Sequence, residues 1–228
     1  MFSRAALLAL LSSAVLMGTT KADVQGFDIS HYQPNVNFKG AYSAGARFVI
    51  IKATEGTNYI DPKFSEHWTG ATNAGLIRGA YHFARPNSGS GAAQATFFLA
   101  HGGGWTKDGR TFPRMLDLES GSSSQCYGLS TGAMVTWIRD FSNTYHGKTG
   151  RYPMLYTNPS WWTSCTGNSK EFVTTNPLVL ARYSNSPGTI PGGWPYQTIW
   201  QYADKYAYGG DGDKFNGNET GLKKLASG

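Results

Sequence analysis

Short runs rich in β-branched and aromatic residues alternate with helix-like segments along most of the chain, and this alternation constrains the fold more than any other feature. The runs are 24–30 (VQGFDIS), 47–54 (RFVIIKAT), 77–84 (IRGAYHFA), 112–119 (FPRMLDLE), 152–157 (YPMLYT), 177–183 (PLVLARY) and 197–202 (QTIWQY), with a weaker eighth at 213–215 (DKF). Between them, 38–45, 61–75, 91–102 and 130–147 read as helices, the last opened by Ser130 as N-cap and closed by Gly147. Alternating strands and helices imply an α/β fold with parallel strands. The strands are almost continuously apolar, as expected when both faces are covered, and their number suits a closed barrel. Helix-like segments thin out after residue 147. The expectation is therefore an irregular TIM-like (β/α) barrel with about eight strands and fewer outer helices than strands.

Residues 1–22 carry Arg4, an apolar run over 5–17 and small residues after it, the pattern of a secretory signal peptide cut after Ala22. The run falls short of the ~20 apolar residues of a membrane helix. Residues 23–228 are then expected to form a single catalytic domain in an extracellular protein, acting as a monomer. Cys126 and Cys165 lie in that part, and an even pair in a secreted chain predicts a disulfide. The formal charge of +6 falls to +4 when Arg4 and Lys21 leave with the leader. This mild positive charge suits an anionic surface such as a bacterial wall, but there is no Lys/Arg-rich run of the kind that grips nucleic acid.

Polar and aromatic residues collect at the predicted strand C-termini: Asp28, Lys52 with Glu55, Tyr81 with His82, Asp117 with Glu119, Tyr156, Arg182 with Tyr183, and Trp200, Gln201 and Tyr202. In a parallel barrel these ends share one face, where active sites lie. Asp117 and Glu119 are two apart on one strand, so both point inward with Cα atoms ~6.6 Å apart. Neighbouring carboxylates repel, one pKa rises, and a proton donor near neutral pH results. Such a pair ringed by aromatics is the equipment of glycoside hydrolysis. Trp200 is the expected sugar platform. The five histidines lack metal-ligand spacing, no nucleophile elbow occurs, and no metal or cofactor is expected. His82, at a strand end, is the histidine closest to a functional position.

The ordered set GFDISHYQ, FVIIKATEG, GAYHFARP, MLDLE, LYT, LARY, WQY and GGDGDKF resembles glycoside hydrolase family 25, the N-acetylmuramidases (lysozymes) that cut peptidoglycan, and is most similar to secreted fungal members. The resemblance runs from about residue 24 to the C-terminus. It implies Glu119 as general acid and Asp117 as the carboxylate that orients or stabilises charge near the anomeric carbon. Asp28 and an acid of the last strand complete the cluster, and the family's late motif D-x-[ND]-x-F places that acid at Asp211, with Asp213 in its second slot. Tyr156, Trp200 and Gln201 match sugar-contacting positions, and Lys52, Glu55, Tyr81 and Arg182 match positions at or behind them. The implied reaction is hydrolysis of the β-1,4 bond between N-acetylmuramic acid and N-acetylglucosamine, with retention through the substrate's 2-acetamido group as the favoured course over inversion. A chitinase-like N-acetylglucosaminyl hydrolase is an alternative, although PRML replaces the acidic run before the catalytic Glu of such enzymes. A wall-binding lectin on the same barrel is another.

Overall fold

The computed structural model describes residues 23–121 and 124–228. The expected leader and cleavage after Ala22 fall outside the described residues. Strands β1 (Val24–Ile29), β2 (Phe48–Glu55), β3 (Tyr59–Ile60), β4 (Ile77–Phe83), β5 (Met115–Asp117), β6 (Met154–Thr157), β7 (Leu178–Ala181), β8 (Ile199–Ala203) and β9 (Asp211–Phe215) form one sheet. Its order is β1-β9-β8-β7-β6-β5-β4-β2, and a β1–β2 pairing closes it into an eight-stranded barrel, with β3 a short hairpin partner of β2. All pairs from β1 round to β8 are parallel, but β9 runs antiparallel to both β8 and β1. The expected all-parallel barrel is corrected here. Only residues 204–210 separate β8 from β9, too few for the dozen or more that a parallel crossover needs.

Among the described residues six α-helices flank the strands: α1 (Phe38–Ser43), α2 (Phe64–Ala74), α3 (Gly91–Phe98), α4 (Thr131–Thr149), α5 (Pro159–Thr166) and α6 (Glu219–Ser227). Ser130 caps α4 as expected, its side chain accepting from Ala133 N. The helix passes through Gly147, however, and ends at Gly150 in the left-handed conformation. Two helices lie in the stretch expected to be irregular. Asn158 caps α5 with Pro159 at its start, and Asn218 caps α6. No helix intervenes between β7 and β8 or between β8 and β9, so the helix layer is incomplete as anticipated.

Two apolar layers follow from the strand alternation. One set of side chains, including Phe48, Ile50, Met115, Met154, Val179, Ile199 and Phe215, fills the barrel, and Leu222 and Ala226 of α6 join it. The other set packs outward on the helices, with Trp161 and Trp162 buried beside Leu118, Leu155 and Leu180. Cys126 and Cys165 are bridged, Cα atoms 5.2 Å apart, tying the turn before α4 to the end of α5.

Candidate active site

Within the barrel, several strands turn polar two residues beyond an inward apolar or glycine position. Ile50 is followed by Lys52, Gly79 by Tyr81, Met115 by Asp117, Met154 by Tyr156 and Ile199 by Gln201. Because β9 is reversed, its first residue rather than its last reaches this rim: Asp211 pairs with Asp28 across β1–β9. Gly210 feeds that position with φ +70°, and a Cβ there would lie 1.8 Å from the Asp28 carbonyl oxygen, so only glycine brings the chain in this closely.

The rim opens into a cleft with two lobes of about 310 Å³ each. Asp28, Asp117, Glu119 and Asp211 line the first, together with Lys52, Tyr81 and Tyr32. Tyr156, Asn158, Arg182 and Tyr183 line the second, and Glu119 belongs to both. A larger groove, about 480 Å³, lies between α3 and α4. Its one carboxylate, Asp140, is already engaged by Ala92 N at 2.7 Å. The acidic cleft is therefore where paired-carboxylate chemistry can occur.

The D-x-E spacing works with less strand than expected. The β5 ladder stops at Asp117, yet Leu118 N still donates to Tyr156 O at 2.9 Å. The alternation thus continues one step: Leu118 is buried on the helix side, and Asp117 and Glu119 both face the cleft. Asp117 is buried, and its Oδ1 has no protein hydrogen-bond partner. Burial, then the charge of Glu119, pushes its pKa well above the usual range. Burial also raises Glu119, against the pull of Lys52. Both carboxyls of the pair are therefore held towards the protonated form.

Gln201 organises the other two acids. Its Nε2 donates to Asp28 Oδ2 at 2.6 Å and to Asp211 Oδ2 at 3.3 Å. Its Oε1 accepts from the Tyr156 hydroxyl at 2.8 Å and the Tyr183 hydroxyl at 3.1 Å. Asp28 is pushed up to about 8 by burial and by the charge of Asp211, with the Gln201 bond pulling the other way. Of the two late acids, Asp211 lines the cleft, while Asp213 lies deeper with both carboxylate oxygens buried and unpartnered. Burial holds Asp213 well above the usual carboxylate range. Glu55 does not line either lobe. It stands behind Lys52, whose Nζ it holds at 2.6 Å, and it also pairs with Arg85 at 2.6 Å.

Trp200 is not in the cleft, contrary to expectation. Gln201 faces inward, so its neighbours face out, and Trp200 pairs across the sheet with Lys214. Lys214 Nζ lies 5.7 Å from the Trp200 ring and 4.6 Å from that of Tyr202, while Trp200 Nε1 donates to Arg182 O at 2.8 Å. These side chains cover the barrel wall where a helix is missing. The aromatic rings free at the cleft are instead Tyr32, 77% exposed, and Tyr183, 55% exposed. Both sit just beyond strand ends, in ISHYQ and LARY, and strand parity carried through those motifs would have singled them out. His82 is also structural: it is buried on the helix side between Thr54 (2.8 Å) and Gln94 (2.9 Å), and burial lowers its pKa to about 4.

The model of glycosyl hydrolases family 25 matches residues 27–211. The chain belongs to this family. It is 68% identical over 210 residues to an N,O-diacetylmuramidase of Chalaropsis sp, covering 90% of this chain and 100% of the relative. Among solved structures, the muramidase from Trichobolus zukalii superposes with a TM-score of 0.89 at 69% identity, over 90% of this chain and 99% of that one. A family GH25 lysozyme from Aspergillus fumigatus gives 0.89 at 59% identity, over 91% and 100%. As a family 25 member the protein is a glycoside hydrolase, a lysozyme.

Proposed function

We propose that the protein is a secreted N-acetylmuramidase that hydrolyses the β-1,4 bond between N-acetylmuramic acid and N-acetylglucosamine in bacterial peptidoglycan. It would do so as a monomeric catalytic domain following a leader at 1–22, with Glu119 as general acid. The observation that carries the reading is the position of Glu119: it lines both lobes, beside three further acids in one and tyrosines in the other. A bond lying across Glu119 has its anomeric carbon on the acidic side and its leaving oxygen on the other.

In the proposed step the Glu119 carboxyl gives its proton to the glycosidic oxygen as the C1–O bond breaks. The 2-acetamido oxygen of the muramyl residue attacks C1 from the opposite face and forms an oxazolinium ion, its N–H held by Asp117. Water then attacks C1, its proton passes to Glu119, and the ring reopens with retained configuration. Burial raises the pKa of both carboxyls, which favours a proton on the pair, and an acetamide N–H donating to Asp117 stabilises that residue's anion.

The test is digestion of bacterial peptidoglycan followed by mass spectrometry of the fragments. New reducing ends on muramic acid are expected, and reducing ends on glucosamine would overturn the assignment. Glycan with N-deacetylated muramic acid should be a poor substrate. Its cleavage at the normal rate would remove the neighbouring-group step while leaving Glu119 as acid.

A further inference from the structure

The two lobes differ in how their cations are used. Lys52, in the acid lobe, is paired with Glu55 and lies close to Asp117 and Glu119. Arg182, in the other lobe, is exposed and makes no ion pair among the described residues. Among the described residues its side chain donates one hydrogen bond, from Nη1 to Pro187 O at 3.4 Å. The guanidinium rests against the loop that follows it. Gly188, with φ +64°, lies against it, the position of a Cβ there falling 1.3 Å from Arg182 Nη1. Behind it, Arg182 O accepts from Trp200 Nε1 at 2.8 Å, and Arg182 N bonds Gln201 O at 3.0 Å. The backbone of Arg182 is fixed to β8, and its exposed side chain lines the second lobe without a carboxylate partner among the described residues.

We infer that Arg182 reads a carboxylate carried by the muramyl unit on the leaving-group side of the cleft, making it a specificity residue for anionic over neutral glycan. The inference rests on the muramidase reading above, which puts the leaving sugar in the lobe lined by Arg182. In an alternating polymer the leaving sugar is N-acetylglucosamine, which is neutral, and the next is muramic acid, which carries a lactyl group. A guanidinium with no carboxylate of its own matches that anion, because its fork donates two parallel bonds to a carboxylate. The carboxylate has two sources: the free lactyl group of peptide-free strands, or the stem peptide of substituted ones.

The experiment compares wild type, Arg182→Ala and Arg182→Lys on three substrates. These are intact peptidoglycan, strands stripped of peptide by an amidase, and stripped strands whose carboxylates have been converted to methylamides. The ratio of kcat/KM between stripped and methylamidated strands should be on the order of tenfold smaller in Arg182→Ala than in wild type, through KM, as expected for one charged hydrogen-bonding partner. Arg182→Lys should recover part of it. Selectivity lost on stripped strands assigns the lactyl carboxylate, whereas a loss confined to intact peptidoglycan assigns the stem peptide. The same loss on methylamidated strands as on the other two substrates would overturn the inference and leave Arg182 a donor to neutral hydroxyls. Failure of the wild type to cleave any of the three would instead overturn the muramidase reading beneath it.

Discussion

Replacing Gln201 by methionine keeps the side chain's length and removes all four of its hydrogen bonds. Two of them matter most. The Tyr156 hydroxyl is buried and loses its acceptor at 2.8 Å, and Asp28 loses its donor at 2.6 Å. Leaving a buried hydroxyl unpaired costs about 1–3 kcal/mol, and a bond to a charged group is worth about 1.5–3 kcal/mol. The longer bonds, to Asp211 and from the exposed Tyr183, add little. Above pH 8, where Asp28 is ionised, a total loss of about 3 kcal/mol is expected, which for a chain of this size lowers Tm by roughly 6–12 °C. The loss should also depend on pH. Asp28 titrates at about 8 in the fold against 3.8 for a free side chain. Between those values the folded state holds a proton that the unfolded chain has released, so stability falls as pH rises through that window. Gln201 lowers the Asp28 pKa, and without it the decline extends beyond pH 8. Thermal unfolding followed by circular dichroism at pH 5, 7 and 9 should show a Tm deficit that widens with pH. A deficit of the same size at all three would refute the claim that Gln201 favours ionised Asp28. No deficit at all would refute the bridging geometry.

Three further outcomes are expected. Glu119→Gln keeps the shape of the acid without its proton, so turnover of peptidoglycan should fall about 10²-fold or more while a pull-down on insoluble wall still retains the variant. Near-normal turnover would return Glu119 to a structural role. Thiol titration of the denatured, unreduced protein should find no free Cys126 or Cys165. Opening this loop by Cys126→Ser and Cys165→Ser together should cost up to about 4 kcal/mol in a denaturant titration. Trp200→Phe should lower Tm by a few degrees through lost packing and the lost bond to Arg182 O, with KM altered less than by Tyr183→Ala. The reverse order would restore Trp200 as the sugar platform.

The barrel was legible because strand ends carry a chemical signature: apolar residues deep in the barrel, then acids and tyrosines at the rim. The same rule identified Asp28, Lys52, Tyr81, Asp117 and Tyr156 as residues sharing one end. It misjudged Trp200 because WQY was read as a cluster rather than by parity, although an inward Gln201 forces both its neighbours outward. The reversal of β9 was also readable, from the shortness of its link to β8. Helices α5 and α6 were overlooked despite legible caps, Asn158 with Pro159 and Asn218, because neither is longer than nine residues and neither carries a long apolar stripe. What no local pattern carries is the depth of each acid. Asp211 and Asp213 look alike in DGDKF, and only closure of the barrel separates a half-buried acid from one cut off from water.

The reversed last strand has a consequence for how the enzyme comes into being. Wedged between β8 and β1, β9 makes contacts such as Gln25 Nε2 to Asp213 O, which join residues 188 apart in the chain. Contacts of such long separation form late, because the loop entropy must be met before they give anything back. A chain emerging from the ribosome can pair β1 with β2 early, but it cannot shut the barrel until β9 has been made. Asp28 and Asp211 sit on the two strands that meet in that final act. Their mutual repulsion is therefore assembled last, when the rest of the wall is already in place to hold it. Until then the cleft lacks Asp211, and a half-folded molecule carries an incomplete cluster of acids.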